Sequence, residues 1–195
     1  MPNWCDTHYI VKGNKEEIEQ LNSIMKKVSE MEKPSVENRF GTRFLGCLLN
    51  ELGVDYKKVD CRGEFYDNTV TSEGNLDFYT YTAWSPCNET INCIKNKFPS
   101  LVFYYYSSEP GCGYYVTNDF GGVFFNQRFI VSYFDPESNE QCDELFETFD
   151  DVISFINNLY KSNVKTVDDI NKLSEELEKE NEYAYIGLNE ITVVQ

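Results

Sequence analysis

The stretch MPNWCDTHYIVKG, residues 1–13, brings the only histidine of the chain close to a cysteine, a tryptophan and an aspartate. Residues 3–12 alternate as a β-strand does, because successive side chains of a strand point to opposite faces. One face carries Cys5, Thr7, Tyr9 and Val11, and the other carries Trp4, Asp6, His8 and Ile10. Cys5 and His8 therefore cannot share a metal ion without a bulge. We interpret His8 as a strand residue whose ring makes a hydrogen bond.

A helix is predicted to follow this strand. Asn14 is expected to cap the helix, with Glu17 returning the capping bond. Its apolar stripe consists of Ile18, Leu21, Ile24, Met25, Val28 and Met31. An insert near residues 35–62 then contains a short helix within TRFLGCLLNELG, which ends at a glycine suited to that position.

The next segments predict a hairpin, a helix and a strand. Residues 63–70 and 75–84 form the hairpin, and its second strand should place Trp84 on the same face as Leu76. SPCNETINCIKNKFP predicts a helix capped by Ser85, and LVFYYYSS predicts the strand after it. The order strand, helix, strand, strand, helix, strand is typical of the ferredoxin-like split arrangement.

The C-terminal part is expected to widen the sheet and to add helices. GCGYYVTND and GVFFNQRFIVSYF predict two strands that pair antiparallel with each other. Thr148 with Asp151, and Thr166 with Asp169, predict two capped helices, and EYAYIGLNEITVV predicts a last strand. The side chains of these helices that should face a core are Val152, Ile153, Ile156, Leu159, Val167, Ile170, Leu173 and Leu177.

Together these patterns predict an α+β fold. We expect a ferredoxin-like split βαββαβ sheet extended by a further β-hairpin, with C-terminal helices and a last strand. Residues 1–110 would form the ferredoxin-like domain, with its helical insert near 35–62. Residues 111–195 would form the β-hairpin and an acidic helical extension packed on it.

The charge of the chain is strongly acidic and unevenly placed. The sequence has 33 acidic and 17 basic residues, which gives a net charge of −16, and residues 136–195 hold 15 of these acids and 4 of the bases. Such a balance argues against binding to nucleic acids and to anionic membranes, because both rely on lysine and arginine. The first interpretation is a solvated acidic face that keeps the protein soluble, and the alternative is a surface that attracts a protein partner with a basic surface.

The composition indicates a cytoplasmic protein. No run of 18 apolar residues is present, and the N-terminus lacks the pattern of a secretory signal. The seven cysteines are an odd number with irregular spacing, which fits reduced thiols better than a disulfide framework. Most of them are interpreted as small buried hydrophobic residues.

Two stretches, MPNWC and TAWSPCNETINCIKNKFPSLVFYYYSSEPGCGYY, resemble the YubB ferredoxin-like family of bacterial proteins. The positions that carry the resemblance are Asn3, Trp4 and Cys5, then Trp84 and Pro86, then Phe98 and Pro99, and finally Glu109 and Gly111. Cys87 departs from the pattern, and the resemblance covers roughly the first 120 residues. It implies a protein carried by plasmids, phages or conjugative elements. It implies neither a catalytic residue nor an iron–sulfur cluster.

The residues offer no catalytic or cofactor site, and we expect no metal. Asp150, Asp151, Asp168 and Asp169 would suit a hard cation if the two helix starts met, but helix capping explains them. Tyr79, Tyr81, Tyr104 and Tyr106 are expected on one face of two strands. If these strands are neighbours, the four rings resemble the platform of an RNA-recognition motif. Such a platform normally comes with basic residues, which this chain lacks, so we favour core packing under the C-terminal helices as the explanation.

The sequence therefore leaves three classes of function open. The first is a non-enzymatic binding protein of a bacterial mobile genetic element. Its partner surface would comprise the acidic side chains Glu175, Glu176, Glu178, Glu180 and Glu182, or the four tyrosines. If the partner is a host defence protein that binds nucleic acid, the acidic surface would imitate DNA. The second class is a carboxylate- and metal-dependent enzyme, and the third is a nucleotide or RNA binder that uses the tyrosine face.

Overall fold

The computed structural model describes residues 3–194 and has a mixed α+β fold. The chain folds into two compact units, of which the first ends at Asp119 and the second comprises Phe120–Val194. All strand pairs described below are antiparallel.

The first unit contains five strands and three α-helices within its described residues. In chain order these elements are β1 (Trp4–Lys12), α1 (Lys15–Ser29), α2 (Leu45–Glu51), β2 (Gly63–Val70), β3 (Leu76–Ala83), α3 (Asn88–Lys97), β4 (Val102–Glu109) and β5 (Tyr114–Thr117). The strands lie in the order β2-β3-β1-β4-β5. The expected strand 3–12, the hairpin and the helix of the insert are thus confirmed.

The core of the first unit lies on one face of this sheet. Tyr9 and Val11 of β1 are buried there beside Phe78 of β3 and Phe103 of β4. The apolar stripes of the helices complete the core, with Ile18, Leu21, Met25, Val28, Leu45, Leu48, Leu49 and Ile94 all buried. The apolar side chains that recur every two residues along β1 and about every 3.6 residues along α1 are therefore buried in the same core.

The caps of α1 and α3 differ from the prediction. Asn14 caps α1 by accepting the N–H of Glu16, but Glu17 does not return a capping bond. Its Oε2 instead accepts hydrogen bonds from the backbone N–H and the hydroxyl of Ser100, so Glu17 joins the helix to the loop before β4. Ser85 does not cap α3, because that helix begins later, at Asn88.

Trp84 does not continue the face of β3 on which Leu76 lies. Its backbone has φ +72°, in the left-handed region, and its side chain is 53% exposed. The strand ends at Ala83, so the alternation of faces no longer applies at Trp84. A bulky residue with positive φ is uncommon, and here the chain turns from β3 towards α3.

The second unit contains a three-stranded sheet, two helices and a further short strand. Its elements are β6 (Phe129–Asp135), β7 (Glu140–Phe146), α4 (Phe149–Tyr160), α5 (Val167–Glu180), β8 (Ile186–Glu190) and β9 (Thr192–Val193). The strand order is β7-β6-β8. The core consists of Val131, Val152, Ile156, Val164, Ile170 and Ile186.

The strand pairing of this region differs from the prediction. The expected hairpin of GCGYYVTND with GVFFNQRFIVSYF does not form, because β5 pairs with β4 whereas β6 pairs with β7 and β8. The sequence does not predict β7, since the exposed, acidic residues of this strand lack apolar alternation. Val167 is 47% exposed and does not face the core as expected.

Both capping boxes of the second unit are confirmed. The hydroxyl of Thr148 accepts the N–H of Asp151, and the carboxylate of Asp151 accepts the N–H of Thr148. Thr166 and Asp169 make the same pair of bonds at the start of α5. Such caps satisfy N–H groups that have no partner inside the helix, and each contributes about 1 kcal/mol.

Phe78→Ala tests the core of the first unit. The ring of Phe78 is 1% exposed and stacks on Tyr9, with 4.9 Å between ring centroids. We expect the free energy of unfolding to fall by about 3–5 kcal/mol, because the change removes buried contacts and leaves a cavity. Trp4 and Trp84, the only tryptophans, both belong to this unit, so tryptophan fluorescence in a urea titration measures its unfolding.

Phe120→Ala is the matched control for this experiment. The Phe120 side chain is 76% exposed, so the same chemical change should alter the free energy by no more than about 0.5 kcal/mol. A loss below about 1 kcal/mol for Phe78→Ala would contradict the described core.

Candidate functional site

The sheet face opposite the core of the first unit carries the four predicted tyrosines. Tyr79 and Tyr81 belong to β3, and Tyr104 and Tyr106 belong to β4. The two strands are not neighbours, because β1 lies between them and places His8 opposite both Tyr79 and Tyr106. The four rings therefore share a face of the sheet, with β1 between the two pairs, and none of them belongs to the buried core of the unit.

His8 is held by groups from β3. Its Nε2 lies 2.8 Å from Oδ1 of Asp77, and its ring stacks on Tyr79 with 4.2 Å between centroids. Tyr66 of β2 stacks on Tyr79 at 5.4 Å. The prediction that His8 is a strand residue hydrogen-bonded through its ring is confirmed.

Asp6 is a second carboxylate on this face. The hydroxyl of Tyr66 donates to both of its oxygens, at 2.9 Å each. Burial, together with this bond to Asp6, raises the pKa of Tyr66 well above its usual range, and burial raises that of Tyr79. Both phenols therefore remain protonated donors near neutral pH.

A cavity of about 240 Å³ on this face is lined by Asp6, His8, Tyr79, Tyr106 and Ser108.

Residues from the motifs of the family resemblance meet at one end of the sheet. The backbone oxygen of Asn3 accepts the N–H of Trp84, and the Asn3 side chain donates to Sγ of Cys112 at 3.4 Å. Glu109 is 3% exposed, and its Oε1 accepts the N–H of Gly111. These contacts link the start of β1, the end of β3 and the turn after β4.

Four thiols of the first unit are poor nucleophiles. Burial raises the pKa of Cys5 and of Cys61 to about 11, and that of Cys87 to about 12. Cys112 is exposed, but its hydrogen bond with the Glu109 carboxylate raises its pKa as well. Since the thiolate is the nucleophilic form, these four cysteines are mostly unreactive at neutral pH. Cys5, Cys47, Cys61 and Cys87 are buried, as their interpretation as small hydrophobic residues requires.

The predicted acidic side chains lie in and just after α5. Glu175, Glu176, Glu178, Glu180 and Glu182 are all exposed, and none of them makes an ion pair within the described part of the chain. On the other side of the helix, Ile170 is buried and Leu173 and Leu177 pack against the core of the second unit. These five carboxylates therefore contribute no contacts to the core of the second unit.

The aspartates at the helix starts act as caps. Asp151 binds Thr148, and Asp169 binds Thr166. The pKa of Asp169 is lowered by its hydrogen bond with the Thr166 side chain and by those from the backbone N–H groups of Lys165 and Thr166. Within residues 3–194, no three histidine, cysteine, aspartate or glutamate side chains are grouped closely enough to hold a metal ion.

Comparison with known proteins gives no relative. No family model matches the chain, and no curated protein or solved structure matches it either. Among residues 3–194, no helix has both the length and the apolar surface needed to cross a bilayer.

The contacts of Asp77, Tyr66 and Cys112 were not anticipated from the sequence. Alternation along β3 places Asp77 and Tyr79 on one face, but only the register of β1 brings His8 to them. Asn3 and Glu109 are both among the positions on which the resemblance to a known family is based. No local pattern indicated their proximity, because 106 positions separate them.

Glu109→Gln tests the electrostatic control of Cys112. Removing the carboxylate charge should lower the pKa of the Cys112 thiol, because a nearby anion disfavours the thiolate. We expect iodoacetamide to alkylate Cys112 faster at pH 8, by at least about twofold, as measured by mass spectrometry of its peptide. Glu73→Gln, at an exposed turn, is the control and should leave the rate unchanged. An unchanged rate in Glu109→Gln would refute this account of Cys112.

Proposed function

We propose that the protein acts without catalysis, by binding a protein partner with a basic surface. The contact would be made by the acidic face of α5, by which we mean Glu175, Glu176, Glu178, Glu180 and Glu182. The observation that carries the proposal is that these five carboxylates are exposed and make no ion pair in the described residues, whereas the apolar stripe of the same helix faces the core.

The charge of the second unit supports this proposal. Residues 120–194 contain 16 acidic and 5 basic residues, a net charge of −11 out of −16 for the chain. Like charges at such density repel one another and disfavour compact structure, so they call for a compensating advantage. A negative field of this kind accelerates association with a basic surface, over a Debye length of about 8 Å at physiological salt.

We further propose that the protein belongs to a bacterial mobile genetic element and acts in the cytoplasm. The family resemblance of the first unit supports this origin, and the strand order β2-β3-β1-β4 supports assigning that unit to the ferredoxin-like fold. A host defence protein that binds nucleic acid would present the basic surface that the acidic face requires. By occupying that surface in place of DNA, the protein would antagonise its host partner.

The two alternatives have weaker support. A metal-dependent enzyme would need Asp151 and Asp169, whose carboxylates are engaged in helix caps. An RNA binder would need a basic tyrosine face, but Asp6, His8 and Asp77 lie among the tyrosines, and these two carboxylates would repel phosphates.

Replacing all five glutamates of the acidic face with glutamine tests the proposal. We expect proteins captured from a bacterial lysate by the tagged chain to be depleted at least about tenfold, because the attraction to a basic surface is lost. Quantitative mass spectrometry measures the capture. The melting temperature should change little, since none of the five side chains contributes to the core.

A control variant carries the same charge change on the first unit. Five of the exposed carboxylates of that unit are replaced by the corresponding amides, at Glu16, Glu30, Glu32, Glu37 and Glu73. This variant should capture the same partners as the unmodified chain. The proposal fails if the variant of the acidic face retains those partners at full strength, because the charge would then only aid solubility.

Binding to nucleic acid should be negligible at physiological salt. A net charge of −16 repels phosphates, and the carboxylates of Asp6 and Asp77 lie among the tyrosines of this face. Fluorescence anisotropy with labelled single-stranded RNA and duplex DNA measures this directly. Binding at micromolar concentration that weakens steeply with salt would favour the RNA-binding alternative over the proposed function.

A further inference from the structure

One flank of α5 lines two cavities in the second unit, each of about 230 Å³ and open to solvent. The first, which we call the N-terminal cavity, is lined by Ser162, Asn163, Val164, Asp169, Lys172, Leu173 and Glu176. The second, the C-terminal cavity, is lined chiefly by Phe134, Tyr160, Leu177, Glu180 and Ala184. Two consecutive turns of the helix thus line the two cavities, and the lining residues lie on the same side of the helix.

The two cavities each have a leucine and a glutamate of α5, although the first also contains the charged side chains of Asp169 and Lys172. Each one combines an apolar wall with a carboxylate: Leu173 with Glu176 in the first, and Leu177 with Glu180 in the second. The corresponding residues are four apart, so they lie on the same side of the helix and about 6 Å from each other along its axis. A cavity of about 150 Å³ already admits benzene, so each of these can hold one long side chain.

The other glutamates of the helix point elsewhere. At about 100° of rotation per residue, Glu175 and Glu178 lie on a flank about 150° away from Glu176 and Glu180. All four side chains are exposed and belong to the same helix. Glu176 and Glu180 thus form the flank of the acidic face that borders these two cavities, and Glu175 and Glu178 form the other flank.

Building on the proposed function, we propose that the two cavities receive two arginine side chains of the basic partner. The stem of each arginine packs against the leucine wall, and in the C-terminal cavity also against Tyr160 and Phe134. The guanidinium group pairs with Glu176 or Glu180. Arginine suits these sites because its apolar stem and planar head fit a wall topped by a carboxylate.

The spacing specifies the form of the bound segment. Alternate residues of an extended strand are about 6.6 Å apart and point to the same side, which matches the distance of about 6 Å between the cavities. The segment is therefore an extended Arg-x-Arg sequence. Lys172 lines the N-terminal cavity as well and opposes the incoming cation, so its removal should strengthen binding.

The test uses the full chain, labelled with ¹⁵N, and the peptide acetyl-Ala-Arg-Ala-Arg-Ala-amide at low salt. We expect saturable shifts of the NMR signals of residues 162–164, 173–177 and 180–184. Glu176→Gln with Glu180→Gln should weaken the Kd at least about fivefold, because two ion pairs are lost. Glu175→Gln with Glu178→Gln removes the same charge from the other flank and should change the Kd by less than about twofold. Lys172→Gln should tighten binding.

Several outcomes would overturn the inference. These are equal weakening by the two double variants, weaker binding of Lys172→Gln, equal binding of a peptide with citrulline in place of arginine, or no saturable binding at millimolar peptide. None of them affects the proposed function, which depends on whether the variant with all five glutamines still captures protein partners. Suppose that Glu176→Gln with Glu180→Gln weakens peptide binding as expected, but the variant with all five glutamines still captures its protein partners. The cavities are then binding sites for arginine, and the proposed function is wrong.

Discussion

The pairing of β1 on both of its edges is the interaction on which the first unit depends. β1 bonds to β3 along one edge and to β4 along the other, and Thr7 lies opposite both Thr80 and Ser107. This register places Tyr9 and Val11 in the core and turns Asp6 and His8 to the opposite face. A slip by one residue would exchange the two sets and would bury a carboxylate and an imidazole. The contacts of the polar face, including His8 with Asp77, follow from the same register.

The carboxylates of the second unit include two groups, those that cap helices and those that are exposed on α5 and just after it. Asp151 and Asp169 are committed to helix caps, where a carboxylate satisfies backbone N–H groups and interacts favourably with the helix dipole. The glutamates of the acidic face have no such role, and those within α5 lie on the two flanks of its apolar stripe. A helix can carry both features because its core stripe occupies only about a third of its circumference. The exposed glutamates can therefore be replaced without loss of core contacts, whereas on β1 one register decides what lies on both faces.

Local patterns were sufficient wherever neighbouring residues decide the structure. The alternation along residues 3–12, the stripe of α1 and the two threonine caps all formed as predicted. Errors arose where a distant residue competes with a local one, as when Ser100 takes the carboxylate of Glu17. They also arose where the regular pattern ends, as at Trp84, whose backbone leaves the strand conformation.

By itself, the sequence determined the type of most elements, the faces of its strands and helices, and the concentration of acidic charge near the C-terminus. These properties depend on short-range periodicity, on capping and on composition. Only the tertiary structure decided which strands pair, so that β5 joins β4 while β6 joins β7 and β8. It also decided which glutamates of α5 border a cavity, since the walls at Phe134 and Tyr160 come from other elements. The physical reason is that strand pairing and cavity formation are contacts between residues far apart in the chain, which no local pattern encodes.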